Sequence, residues 1–78
     1  MGRKPKHEEE RVANRIEELR NAAGLSRQAL AYKVDVHYQT IGYIERGEYS
    51  PSLVLALKIS KALGQPVEKV FSLEGESN

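Results

Sequence analysis

The sequence contains no cysteine and no tryptophan among its 78 residues, and only two histidines. Without cysteine, the disulfide frameworks that stabilise many small secreted domains are excluded. A structural zinc site needs several cysteine or histidine ligands, and His7 and His37 are too few to supply them. We therefore expect no metal site and no cofactor.

Long apolar runs are also missing. No stretch approaches the roughly 20 residues of a membrane-spanning helix, and no apolar segment follows the basic N-terminus as it would in a signal peptide. These absences predict a soluble, cytoplasmic protein. A single domain of this length is marginally stable by itself. With disulfides and metals excluded, a partner subunit is the remaining source of stability, so we expect a homodimer.

Positive and negative charges are nearly balanced, with 12 Lys and Arg against 11 Asp and Glu. Their distribution is uneven, because the segment from Arg20 to Gln39 holds Arg20, Arg27 and Lys33 against Asp35 alone. This local positive bias favours nucleic-acid binding. The sequence has no histidine–carboxylate cluster and no glycine-rich phosphate loop. No catalytic residue is predicted, and an enzyme is not expected.

The chain is predicted to form one domain with two tails. Residues 1–7 are polar and basic and are predicted to be a flexible arm. Residues 8–73 carry the domain, and residues 74–78 are predicted to fray. Apolar residues at helical spacing, together with helix-capping residues, predict an all-α fold of five helices. Phe71-Ser72-Leu73, after the last helix, is also compatible with a short C-terminal strand.

Capping residues and apolar spacing indicate the helix bounds. A second helix is predicted over about 26–33 and a third over about 37–46, while Ser52 and Pro66 begin the last two. The first helix is predicted over about 8–23, where four apolar residues repeat at helical spacing: Val12, Ile16, Leu19 and Ala23. The second and third helices, joined by a tight turn, form the arrangement of a DNA-binding helix-turn-helix.

The third predicted helix has the composition of a DNA recognition helix. Ile41 and Ile44 are predicted to point inward, where they would join the core. Five polar or aromatic residues are left to point outward: His37, Tyr38, Gln39, Thr40 and Tyr43. Glutamine can pair with the edge of adenine, and threonine can contact base or phosphate. Such a surface suits insertion into a major groove about 12 Å wide.

A series of short motifs accompanies this pattern. They are Arg15-Ile16-Glu17-Glu18-Leu19-Arg20, Gly24-Leu25-Ser26, Leu30-Ala31, Gln39-Thr40-Ile41, Ile44-Glu45-Arg46-Gly47 and Tyr49-Ser50-Pro51-Ser52-Leu53. Over about residues 12–72 the sequence resembles the Cro/cI-type (Xre-like) helix-turn-helix transcriptional regulators, especially the short single-domain forms such as the cytolysin repressor group. The resemblance implies a lambda-repressor-like fold, a homodimer on a palindromic operator in double-stranded DNA, repression of transcription and no enzymatic activity.

The resemblance also implies roles for individual residues. Positions that read bases correspond to Tyr38, Gln39 and Tyr43, and an internal ion pair corresponds to Arg20 and Glu45. Contacts to the DNA backbone are expected from Ser26, Arg27, His37, Thr40 and Arg46. A dimer interface is expected from apolar residues near the C-terminus: Leu57, Val67, Val70, Phe71 and Leu73.

Several residues depart from the family pattern. Arg27 stands where glutamine is usual, which favours a direct phosphate contact, and Tyr38 stands where arginine or glutamine is common, so the preferred bases are not implied. Asp35 replaces the usual turn glycine at a small conformational cost. Gly42 lies within a helix, where glycine costs roughly 1 kcal/mol relative to alanine. Glu48 occupies a position that is often basic.

Other interpretations of the same residues stay open. Tyr38 and Tyr43 can pack against neighbouring side chains, and His37 and Arg46 are compatible with solvent as well as with phosphate. The basic arm is compatible with a minor-groove contact and with a solvated tail. At the level of function, the alternative is an antitoxin-type protein-binding module that also binds DNA, and RNA binding is a weaker one.

Overall fold

Five helices and two short strands make up residues 11–74, the part of the chain that the computed structural model describes. In chain order they are β1 (Val12–Asn14), α1 (Ile16–Ala22), α2 (Arg27–Val34), α3 (Tyr38–Glu45), α4 (Leu53–Leu63), α5 (Val67–Val70) and β2 (Phe71–Leu73). The predicted five-helix class is confirmed, and so is the short C-terminal strand. The predicted arm at 1–7 and residues 75–78 of the predicted tail lie outside the described residues.

Aliphatic side chains from all five helices meet in one core. Its fully buried members are Ile16, Leu30, Ile41, Ile44, Ile59 and Val70. Helices as short as these are marginal in isolation, so they depend on this shared packing for stability. Because α2 and α3 both contribute to the core, packing fixes their relative orientation and their outward faces. Within residues 11–74, no helix is both long enough and apolar enough to span a membrane.

Two serines begin helices as the sequence predicts. The Ser26 hydroxyl accepts a hydrogen bond from the backbone N–H of Ala29 at 3.0 Å, which caps α2. The Ser52 hydroxyl accepts one from Leu55 at 3.1 Å, which caps α4. Each cap satisfies a backbone donor that has no partner within the helix, so the starts of both helices are fixed locally.

The turn between α2 and α3 depends on Asp35. Its φ of +62° lies in the left-handed region, and its backbone N–H bonds to the carbonyl of Tyr32. Aspartate tolerates this conformation better than most non-glycine residues, as expected for the turn. The chain therefore leaves α2 and enters α3 after only three residues, Asp35–His37, which keeps the two helices close.

The predicted start of the first helix is wrong. The sequence predicts a helix from about residue 8, but α1 begins at Ile16, and Val12–Asn14 form β1 instead. This strand pairs antiparallel with β2, with Val12 opposite Leu73. The pairing gives the backbone of residues 12–14 hydrogen-bond partners and partial burial. An exposed first helical turn would provide no comparable burial, so the long-range partner outweighs the local helical pattern.

Asn14 links the strand to two helices. Its side-chain oxygen accepts a hydrogen bond from the backbone N–H of Ile16 at 3.0 Å, which satisfies a free donor at the start of α1. Its side-chain nitrogen donates to the carbonyl of Ile44 at 2.9 Å, near the end of α3. One half-buried amide therefore fixes the start of α1 against the end of the helix that the sequence predicts to read DNA.

Candidate nucleic-acid interface

Helix α3 has one buried and one exposed face. Ile41 and Ile44 are buried in the core, whereas Tyr38 and Tyr43 are 44% and 45% exposed. Gln39 is exposed as well, between the two tyrosines along the helix. The structure therefore brings together on one accessible face the three residues that the sequence predicts to read bases. Their side chains combine two hydroxyl groups with one amide, which can both donate and accept hydrogen bonds.

The ring of His37 caps the N-terminus of α3. The Nδ1 atom accepts a hydrogen bond from the backbone N–H of Gln39 at 3.1 Å, and the ring stacks on Tyr38 with centroids 4.8 Å apart. His37 therefore caps α3, and the residue is exposed at the N-terminal end of that helix.

Glu45 lies at the end of α3 and binds two arginines. Its Oε2 accepts from Arg20 Nε and its Oε1 from Arg27 Nε, each at 2.8 Å. The Glu45 and Arg20 side chains are only 3% and 9% exposed, and Arg20 also donates to the carbonyl of Leu25. The structure thus places the predicted partners Arg20 and Glu45 in contact and adds Arg27, which the sequence did not indicate.

Arg27 is held at one end and accessible at the other. Its hydrogen bond to Glu45, together with the charge of that carboxylate, raises the pKa of the Arg27 guanidinium. The side chain is 43% exposed, and its hydrogen bond to Glu45 uses only Nε. Among residues 11–74 its terminal nitrogens have no hydrogen-bond partner, so they can reach a phosphate oxygen. Ser26 precedes it and is exposed, but its hydroxyl caps α2, and Thr40 on α3 is half-buried.

Arg46 folds back along α3. Its guanidinium carbon lies 5.3 Å from the centre of the Tyr43 ring, and its Nε donates to Glu48 at 3.3 Å. The guanidinium also lies against Gly42, where a Cβ atom would come within 3.2 Å of Nη1. Gly42 and Arg46 are four residues apart, a spacing that places them on one helical face. That spacing is the signal in the sequence from which the contact could have been predicted.

A cleft of about 230 Å³ opens on this surface. Its lining residues are Arg27, Tyr38, Gln39, Gly42, Tyr43 and Arg46. Two of these residues carry positive charge and none carries negative charge. Glu45 and Glu48, outside the lining, bind the two arginines at Nε. We define these six residues as the recognition cleft. A lining of this kind suits acceptor-rich groups such as phosphates and base edges.

The residues predicted for a dimer interface differ in accessibility. Leu57 and Leu73 are 49% and 47% exposed, and Val67 and Phe71 are half-buried. Val70 requires a correction, because it is only 1% exposed and packs in the core of its own chain. It belongs to the same core cluster as Ile16, Ile59 and Leu63, so its side chain has no surface to offer a partner.

Known proteins similar in sequence to this chain are helix-turn-helix regulators. A family model described as HTH_3, helix-turn-helix, matches residues 16–70. An uncharacterized HTH-type transcriptional regulator of Bacillus subtilis (strain 168), YgzD, is 48% identical over 66 residues, which cover 85% of this chain and 100% of that protein. An uncharacterized HTH-type transcriptional regulator of Archaeoglobus fulgidus is 40% identical over 65 residues, covering 83% of this chain and 93% of the relative.

Solved structures agree with the described fold. The restriction-modification controller protein C.AhdI from Aeromonas hydrophila superposes with a TM-score of 0.67 and 38% identity, covering 70% of this chain and 83% of that one. An HTH_3 family transcriptional regulator from Vibrio cholerae superposes with a TM-score of 0.64 and 34% identity, covering 70% of this chain and 31% of that one. The shared fold is the one that places α3 outward.

Proposed function

The chain belongs to the HTH_3 helix-turn-helix family of DNA-binding transcriptional regulators, which is not a family of enzymes, and we propose that it is a sequence-specific repressor that binds a palindromic operator as a homodimer. The observation that carries the proposal is the exposed face of α3. Tyr38, Gln39 and Tyr43 point outward there, while Ile41 and Ile44 hold the helix on the core.

DNA contacts divide into two groups. The three outward residues of α3 would read base edges in the major groove, and a glutamine suits adenine in particular. Ser26, Arg27, His37, Thr40 and Arg46 are the proposed backbone contacts. Arg27 supports this division best, since Glu45 orients its Nε and leaves the terminal nitrogens accessible. Backbone contacts of this kind fix the register of the protein on the duplex.

The exposed apolar residues of α4, α5 and β2 support the proposed homodimer. Leu57, Val67, Phe71 and Leu73 retain accessible apolar surface, and covering it with a second copy would add burial that a domain this small needs. A two-fold dimer would place its two α3 helices about 34 Å apart, in successive major grooves. Occupancy of a promoter would then exclude polymerase.

Relatives of the chain are bacterial and archaeal, so we propose action in the cytoplasm, where their DNA lies.

Selection from a randomised duplex pool tests the proposal. Bound DNA is sequenced, and binding to the recovered duplex is followed by fluorescence anisotropy at two salt concentrations. We expect a palindrome whose half-sites are about one helical turn apart. Binding that weakens with salt but enriches no sequence would show phosphate contacts alone and contradict the proposal. Absence of binding at low salt would favour the antitoxin-type alternative, in which a protein is the partner.

A further inference from the structure

The position of Arg46 suggests more than a contact to phosphate. Its backbone lies just after α3, but its guanidinium returns one helical turn to lie against Gly42. There it lines the same cleft as Gln39 and Tyr43. The charged group of Arg46 is therefore on the base-reading face of the helix, even though its backbone is at the end where DNA backbone contacts are expected.

Resting on the proposed function, we propose that Arg46 is a specificity-determining residue that recognises one guanine in each half-site, and that Gly42 is the residue that makes room for it. Guanine presents two acceptors, O6 and N7, in the major groove, and the planar guanidinium matches them with two parallel hydrogen bonds.

Two neighbours hold the guanidinium in place. The Tyr43 ring lies beneath it at 5.3 Å, a distance at which a cation is attracted to an aromatic face. Glu48 accepts from its Nε at 3.3 Å, which leaves the two terminal nitrogens for a base edge. The Arg46 side chain is still 49% exposed, so a duplex can reach it. Restricting the guanidinium before binding lowers the entropy lost when the contact forms.

Gly42 provides a second, independent observation. Glycine within a helix is unfavourable relative to alanine, and packing against other parts of the core does not demand it here. Between residues 11 and 74, the three nearest atoms that a Cβ at this position would meet outside the backbone of the helix belong to the Arg46 guanidinium, the first of them at 3.2 Å. The absence of a side chain at Gly42 therefore leaves room for the Arg46 guanidinium beside α3.

The test compares base preferences of the wild-type protein with those of Arg46→Lys, Gly42→Ala and Lys58→Ala by pool selection and sequencing. Lysine keeps the charge but lacks the planar fork, so a phosphate contact would survive while a two-bond contact to guanine would be weakened. We expect Arg46→Lys to lower the preference for guanine at one base pair in each half-site by about tenfold. The other positions should be unchanged, and Gly42→Ala should weaken the same position.

Lys58→Ala is the control for a substitution outside the recognition cleft, because Lys58 lines a separate surface groove with Lys33 and Asp35. It should leave every base preference intact. Melting followed by circular dichroism shows that each variant is folded. An unchanged preference in Arg46→Lys, with equal or uniformly weaker affinity, would overturn the proposal and make Arg46 a phosphate contact. If the wild-type protein enriches no sequence, the proposed function itself fails. If the wild-type protein selects an operator and Arg46→Lys selects the same one, only the role of Arg46 fails.

Discussion

The carboxylate of Glu45 connects the two halves of the helix-turn-helix. It lies at the end of α3, and it accepts from Arg20 in α1 and from Arg27 in α2. A buried charge is costly unless its partners satisfy it, and here both oxygens have arginine donors. One residue therefore fixes the end of the recognition helix and orients Arg27, which we propose to contact phosphate.

Replacing Glu45 with glutamine should destabilise the protein by about 3 kcal/mol, because Arg20 would keep its charge in a buried site without a counter-charge. Urea denaturation followed by circular dichroism measures the change. Glu48→Gln is the matched control, since it removes the same charge from an exposed pair with Arg46; it should cost less than about 0.5 kcal/mol. Equal effects of the two substitutions would contradict the structural role given to Glu45.

The sequence predicted residues whose roles are local and missed those whose roles are not. Ser26 and Asp35 were predicted because capping and left-handed turns depend on a few consecutive residues. The contact between Arg27 and Glu45 joins positions 18 residues apart, and no local pattern encodes it. The pair of Arg20 and Glu45 entered only through a family resemblance, for the same physical reason.

The strand β1 illustrates the same limit for a whole element. Val12, Ile16, Leu19 and Ala23 have helical spacing, yet residues 12–14 form a strand, because β2 supplies their backbone partners. The partner of Val12 is Leu73, at the opposite end of the described chain. The bounds of α2 and α3 and the starts of α4 and α5 were predicted within a few residues, because their capping and turn residues lie next to them in sequence.

Replacing Asn14 with alanine distinguishes a strand at residues 12–14 from a continuous first helix, because the two structures predict changes of opposite sign in the free energy of unfolding. If residues 8–23 formed a helix, alanine would stabilise it by about 0.5 kcal/mol. In the structure, Asn14 makes hydrogen bonds to Ile16 and Ile44, so we expect a loss of about 1–2 kcal/mol. Thermal and urea unfolding of the two proteins measure the difference, and a more stable variant would favour the continuous helix.

At the scale of the whole molecule, we expect both the stability of the domain and its proposed function to depend on the dimer. Leu57→Glu would place a carboxylate without a partner in the interface, at a cost in free energy that we expect to weaken dimerisation by about tenfold or more. Sedimentation velocity over a range of concentrations measures the dissociation constant. Tyr32→Glu, at a position on α2 that is 87% exposed and outside the proposed interface, should leave it unchanged. A monomeric wild-type protein, or equal effects of both changes, would contradict this interface.

The same dimer would determine how DNA is read, since two copies of α3 must enter the duplex together. Affinity for any duplex then comes largely from contacts to phosphate, and discrimination between sequences comes from the exposed side chains of α3. Removing a base contact should therefore lower specificity without removing binding.

The ratio of affinities for the selected operator and for unrelated DNA, measured at one salt concentration for wild type and Gln39→Ala, tests the central claim most directly. Gln39 is exposed on α3, so alanine should leave the fold intact. We expect the ratio to fall by about tenfold, as for loss of one bidentate base contact, while affinity for unrelated DNA is retained. A ratio that stays the same in the folded variant would contradict the claim that this face of α3 reads the operator.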